Sequence, residues 1–179
     1  DGSIPVDLNV NRGDRFLFIS YDQSVLSHGL HSYQAKFFPD LPRWIIQKYS
    51  EKGSLILDPF TGSGTTNLEA LLSGRSSVGI DVDPFSLFLS RVKTTPLRVE
   101  NLLKAKNEII EKILNYDIAN ITEEDIPIFP YRDNWFNIEI LLELTYIRKV
   151  ILNLLYNQDI KNFFLVCFSS IIRSVSNAD

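Results

Sequence analysis

The sequence predicts an α/β fold, a mainly parallel sheet with helices on both faces. Three observations predict it. Two short runs, "SLILD" (54–58) and "SSVGID" (76–81), read as buried strands. Between and after them, "TTNLEALLSG" (65–74) and "PFSLFLSRVK" (84–93) read as helices. Each strand ends on an acid, Asp58 or Asp81. Strand, helix, strand, helix is the order of parallel strands joined by crossover helices, since parallel neighbours need a long connection.

The remaining elements follow in order. "DRFLFISY" (14–21), with its aromatic and β-branched run, is a strand candidate. "SHGLHSYQAKFFPD" (27–40) has no clear period and reads as a loop. "LPRWIIQKYSEKG" (41–53) reads as a helix, with Pro42 suited to its first turn and Gly53 to its stop. In the 65–74 helix, Leu68, Leu71 and Leu72 share a face and Gly74 ends it. "ENLLKAKNEIIEKILN" (100–115) is amphipathic, with apolar residues at 102, 103, 109, 110, 113 and 114. "ITEEDIPIFPYRDN" (121–134) reads as a loop in which "EED" is solvated. Residues 135–157 read as one long helix anchored in the core by Trp135 and Phe136, and 161–177 as a last helix. The whole reads as a single partial domain over 1–179, with ligand motifs in 27–93 and a helical layer in 100–177.

Composition narrows the class. The chain has 179 residues, 45% hydrophobic and 22% charged, as globular domains have. No apolar stretch is long enough to span a bilayer and no signal peptide opens the chain, so a cytoplasmic protein is expected. One cysteine, Cys167, excludes an internal disulfide and fits a reducing compartment. With two histidines beside it, the chain has too few ligands for a structural zinc site, and no metal is expected. A net charge of −4 is not the footprint of a chain that grips nucleic acid alone. The chain contains no methionine and begins with Asp1, which reads as a trimmed or partial polypeptide.

"DPFTGSGTT" (58–66) carries the chemistry. Asp58 falls at the carboxyl edge of the sheet, where open α/β sheets bind ligands. Gly62 and Gly64 permit a tight turn and close approach to the backbone. Thr65 and Thr66 open a helix whose free N–H groups favour an anion. Asp81, at the next strand tip, is placed to take the hydroxyls of a ribose. A nucleotide P-loop would need a lysine that "GSGTT" lacks. A dinucleotide fingerprint would need glycine where Asn67 stands, and Asp58 would repel a pyrophosphate. S-adenosylmethionine fits better, with a ribose, a carboxylate, and an ammonium and sulfonium that an acid attracts.

"DPFTGSGTT" resembles the S-adenosylmethionine motif of the DNA amino-methyltransferases, "VGIDVDP" their second motif, and "HSYQAKFFPDLPRWII" the segment that completes their cofactor pocket. The resemblance implies the methyltransferase (Rossmann-like) fold, here incomplete. It implies methylation of cytosine N4 or adenine N6 in double-stranded DNA, within a restriction–modification system, on a base flipped from the duplex. The expected cofactor residues are Lys36, Phe37, Asp58, Pro59, Phe60, Thr61, Gly62, Ser63, Gly64, Thr65, Thr66, Asp81 and Val82. Lys36 would meet the cofactor carboxylate, Phe60 the sulfonium, and Val82 the adenine face. Asp83 reads as the cap of the helix at Pro84, and His28 and His31 as loop hydrogen-bonders. The family's catalytic Ser/Asp/Asn-Pro-Pro-Tyr/Phe motif is absent, since no proline pair occurs. No catalytic residue is therefore assigned, and a further segment or second polypeptide is expected to supply that motif. The alternatives are an RNA base methyltransferase and a non-catalytic S-adenosylmethionine-binding subunit.

Overall fold

The computed structural model describes residues 5–15, 25–34, 36–117, 119 and 121–177. Most of the candidate strand at 14–21 lies outside them. The chain forms two compact units, residues 1–94 and 95–179.

In the first unit, β1 (Leu55–Asp58) and β2 (Ser76–Gly79) pair in parallel, with Leu55 opposite Ser76 and Asp58 opposite Gly79. The connecting α2 (Thr65–Leu72) packs on both strands, and α1 (Asp40–Tyr49) and α3 (Pro84–Thr94) pack against α2. Alternation along the strands leaves Leu55, Leu57 and Val78 exposed, while Ile56, Asp58, Ser77 and Gly79 are half-buried. The leucine face expected on α2 is not the buried one. Leu68 is buried, but Leu71 and Leu72 are exposed, and Thr65, Asn67, Glu69 and Ala70 complete the covered arc. Strands and two helices cover α2 on a wide arc, and Asn67 and Glu69 are admitted there because hydrogen bonds satisfy them. Helix α1 stops at Tyr49, where the Ser50 N–H bonds the Ile46 carbonyl at 3.1 Å, so Gly53 lies beyond its end rather than stopping it.

The second unit packs α4 (Val99–Leu114), α6 (Ile138–Leu152) and α7 (Gln158–Ile172) around Ile109, Val150, Ile151 and Leu154. The single long helix expected over 135–157 is broken. A short α5 (Arg132–Trp135) ends at Phe136, which is extended (φ −141°, ψ 136°), and α6 starts anew after Asn137. Aromatic residues and asparagine are indifferent helix formers, and asparagine favours a helix N-cap. Trp135 is consequently 46% exposed rather than a core anchor, while Phe136 meets Phe129 edge to face at 6.2 Å. The "EED" stretch forms a 3₁₀ turn, capped by Thr122, whose Asp125 accepts from Lys149 Nζ at 2.6 Å. Its last acid is therefore tied down rather than simply solvated.

Candidate functional site

The two strand tips are joined by backbone. Beyond the last ladder pair, the Ile80 N–H bonds the Asp58 carbonyl at 2.9 Å, and the Thr61 N–H bonds the Ile80 carbonyl at 2.9 Å. The turn between β1 and α2 is thus stitched to the extension of β2. Asp58 Oδ1 accepts the Phe60 N–H at 3.0 Å, and the Gly64 N–H reaches the Thr61 carbonyl at 2.8 Å. Asp81 accepts the Gly62 N–H on Oδ2 at 2.8 Å and the Asp83 N–H on Oδ1 at 2.9 Å. Each carboxylate oxygen keeps a second acceptor direction.

Side chains brace the turn from behind. Thr61 Oγ1 donates to Asn67, whose Nδ2 donates to Ser77 Oγ at 3.1 Å. Gly79 leaves room for this pair, since a β-carbon there would lie 2.7 Å from Thr61 Oγ1. Gly64 caps α2 in the left-handed region (φ +78°), and a β-carbon on it would lie 2.4 Å from Ser90 Oγ and 2.7 Å from Ser90 Cα. Its smallness thus serves helix packing. Gly62 (φ +48°) has more space, its added β-carbon meeting only Tyr33, at 3.5 Å.

Asp83 caps α3 as expected, accepting from the N–H groups of Phe85 at 3.0 Å and Ser86 at 3.1 Å and from Ser86 Oγ at 2.7 Å. The Ser86 hydroxyl, followed by the Phe85 N–H, holds the Asp83 carboxyl below its usual range. Tyr33 Oη joins this cap at 2.7 Å from Ser86 Oγ, so the 27–34 segment reaches both α3 and the Gly62 turn.

A buried ion network anchors the same segment. Glu69, with no exposed surface, bonds His28 Nε2 at 2.8 Å, Arg43 Nε at 2.7 Å and Arg43 Nη2 at 3.0 Å. Arg43 Nη1 also reaches Asp40 at 3.0 Å. Burial pushes the Glu69 carboxyl up, but the hydrogen bonds from His28 and Arg43 outweigh it and hold it below the usual range. His28 and His31 both hydrogen-bond within the fold, His31 Nδ1 donating to the Ser32 carbonyl at 2.6 Å.

The expected cofactor residues divide by position. Phe37, Pro59, Phe60 and Val82 are exposed; Lys36, Asp58, Gly62, Thr66 and Asp81 are half-buried; Thr61, Ser63, Gly64 and Thr65 are buried. Phe60 and Val82 follow the two acids on adjoining strand tips. Lys36 Nζ donates to the His28 carbonyl at 3.1 Å. Sequence reasoning missed Tyr33, Glu69, Gly79 and Ser90. Only Glu69 carried a signal, an acid inside a helix of small and apolar residues.

A family model for N6/N4 DNA methylases matches residues 9–90. Nearly the whole chain aligns with the type II methyltransferase M.MvaI of Kocuria varians, at 32% identity over 176 residues, 94% of this chain and 38% of that protein. The chain is similar to the DNA amino-methyltransferases. Among other relatives, M.MjaII of Methanocaldococcus jannaschii is 32% identical over 117 residues, 63% of this chain and 22% of that protein. M.BsoBI of Geobacillus stearothermophilus is 33% identical over 123 residues, 60% of this chain and 24% of that protein. The chain thus spans well under half the length of these relatives. No solved structure matches it significantly. Its small parallel sheet and helix-rich build fit part of the α/β methyltransferase fold. Among the described residues no helix is long and apolar enough to cross a membrane, and no group of three or more His, Cys, Asp or Glu could hold a metal.

Proposed function

We propose that this chain is the cofactor-binding part of an enzyme that methylates an exocyclic amine of DNA, cytosine N4 or adenine N6, within a restriction–modification system. S-adenosylmethionine, when bound, supplies an electrophilic methyl group with a thioether as leaving group. One observation carries the reading. Asp58 and Asp81 stand at adjoining strand tips beside the N-terminus of α2, each holding a backbone N–H of the turn between them, Asp58 that of Phe60 and Asp81 that of Gly62. Acids facing hydroxyls and cations, next to helix N–H groups facing an anion, suit this zwitterionic nucleoside.

Within this site Asp81 takes the ribose hydroxyls on its remaining lone pairs. Exposed Val82 and Phe60 cover the adenine and the sulfonium side. The chain's work is positioning and exclusion of water, since the reaction needs the amine in line with the breaking bond. These 179 residues contain no proline pair, so on this reading a further segment or a second polypeptide supplies the base-holding motif. Calorimetry tests the reading. The chain should bind S-adenosylmethionine, and alone it should transfer no radiolabelled methyl to duplex DNA. Supplied with the catalytic segment, it should yield N4-methylcytosine or N6-methyladenine in digested nucleosides. Absence of binding by a folded chain would overturn the reading.

A further inference from the structure

We propose that Lys93, with Lys36 and the hydroxyl of Ser63, holds the carboxylate of the ligand's amino-acid moiety; the inference rests on the cofactor reading above. Lys93 is the penultimate residue of α3, 4% exposed, and its Nζ has no hydrogen-bond partner. A buried ammonium without an acceptor is costly, and proteins keep few such groups without a use. Ser63 Oγ, on a residue 2% exposed, is likewise unpartnered.

The two orphans flank one packing contact. Ser90, one turn before Lys93 on α3, abuts Gly64, the residue after Ser63. Lys36 is tied to the same end of α3 through a neighbouring turn. Its Nζ bonds the His28 carbonyl at 3.1 Å, while the Lys93 carbonyl accepts from Ser27 Oγ at 2.9 Å, so both lysines meet the turn Leu26–Gly29. Burial first, and then the charge of Lys36, pull the Lys93 ammonium down to about 8. The nearby buried acid, Glu69, is committed to His28 and Arg43. Donors therefore outnumber acceptors here: the Lys93 ammonium and the Ser63 hydroxyl have none, Lys36 has the His28 carbonyl alone, and the N-terminus of α2 has no side-chain cap. A carboxylate matches that set, whereas the ribose and sulfonium suit the acids at the strand tips.

The test compares S-adenosylmethionine with its decarboxylated analogue, which differs only by the carboxylate, by calorimetry on wild type, Lys93→Met and Lys93→Gln. Wild type should prefer the carboxylate form by on the order of 10- to 100-fold. Both variants should lose most of that preference, keep wild-type affinity for the decarboxylated analogue, and melt no lower than wild type, because no partner is left orphaned. Unchanged preference in the variants would overturn the inference and leave the cofactor reading intact. So would equal wild-type affinity for the two ligands, or unfolding of both variants, which would mean that the ammonium serves the fold. Binding of neither ligand by folded wild type would remove the cofactor reading, and this assignment with it.

Discussion

The Asp81 carboxylate accepts the backbone N–H of Gly62 at 2.8 Å, so the acid at the tip of β2 also holds the turn that follows β1. Asp81→Ala should therefore weaken two properties at once. Affinity for S-adenosylmethionine should fall by about 1.5–3 kcal/mol, the scale of hydrogen bonds to a charged group. The melting temperature should fall as well, since the Gly62 and Asp83 N–H groups lose their acceptor. Asp81→Asn keeps one acceptor and should retain more stability than affinity. Calorimetry and thermal melts on the same samples separate the two effects.

Gly62 and Gly64 both have left-handed backbone but should respond unequally to alanine. At Gly62 the cost should be mainly conformational, about 1–2 kcal/mol, because the added carbon meets only Tyr33. At Gly64 the same cost is joined by overlap with Ser90, adding about 1–3 kcal/mol. Ser90→Gly should relieve Gly64→Ala only in part, since the Ser90 Cα also lies too close. Denaturant melts of the three variants give the order; equal losses at the two glycines would contradict it.

Glu69→Ala should be among the most damaging substitutions in the first unit, at about 3–5 kcal/mol, because it strands His28 and Arg43. The depressed Glu69 carboxyl also sets a pH dependence. Its contribution is complete above the unfolded value of about 4.3 and is lost as pH falls through the lower folded value. Acid melts of wild type should show this loss. Glu69→Leu, which cannot titrate there, should have a flatter profile.

In the second unit Asp125 titrates at about 2, held down first by Lys149 and then by Thr122. The unfolded value is about 3.9, so its contribution is present above that pH and disappears between about 4 and 2. The carboxyl carbon shift of Asp125, followed by NMR, should show a midpoint well below that of an ordinary aspartate. Lys149→Met should raise it.

Much of the candidate site is legible in residue order. Strand tips, helix starts and the two acids follow from local pattern, because each depends on neighbours in sequence. Asp83 as a cap is equally local. What was not legible depends on distant partners. Leucine spacing in α2 cannot reveal that Glu69 is covered, because its acceptability depends on His28 and Arg43 arriving from other elements. Gly79 shows in the sequence only as a small strand residue; its importance comes from Thr61 and Asn67 packing against it. The break at Phe136 escaped because the apolar pattern runs through it on both sides, and periodicity does not register one extended residue.

The Thr61–Asn67–Ser77 chain has a kinetic consequence. It fastens the β1–α2 turn to β2 through protein groups alone. Little ordering entropy then remains to be lost at the moment of capture, and association should be limited by encounter and orientation rather than by loop closure. Amide protons of Thr61 and Gly64, both in backbone hydrogen bonds, should exchange slowly in the free protein. Asn67→Ala should speed that exchange and slow capture, although it removes none of the groups proposed to contact the ligand.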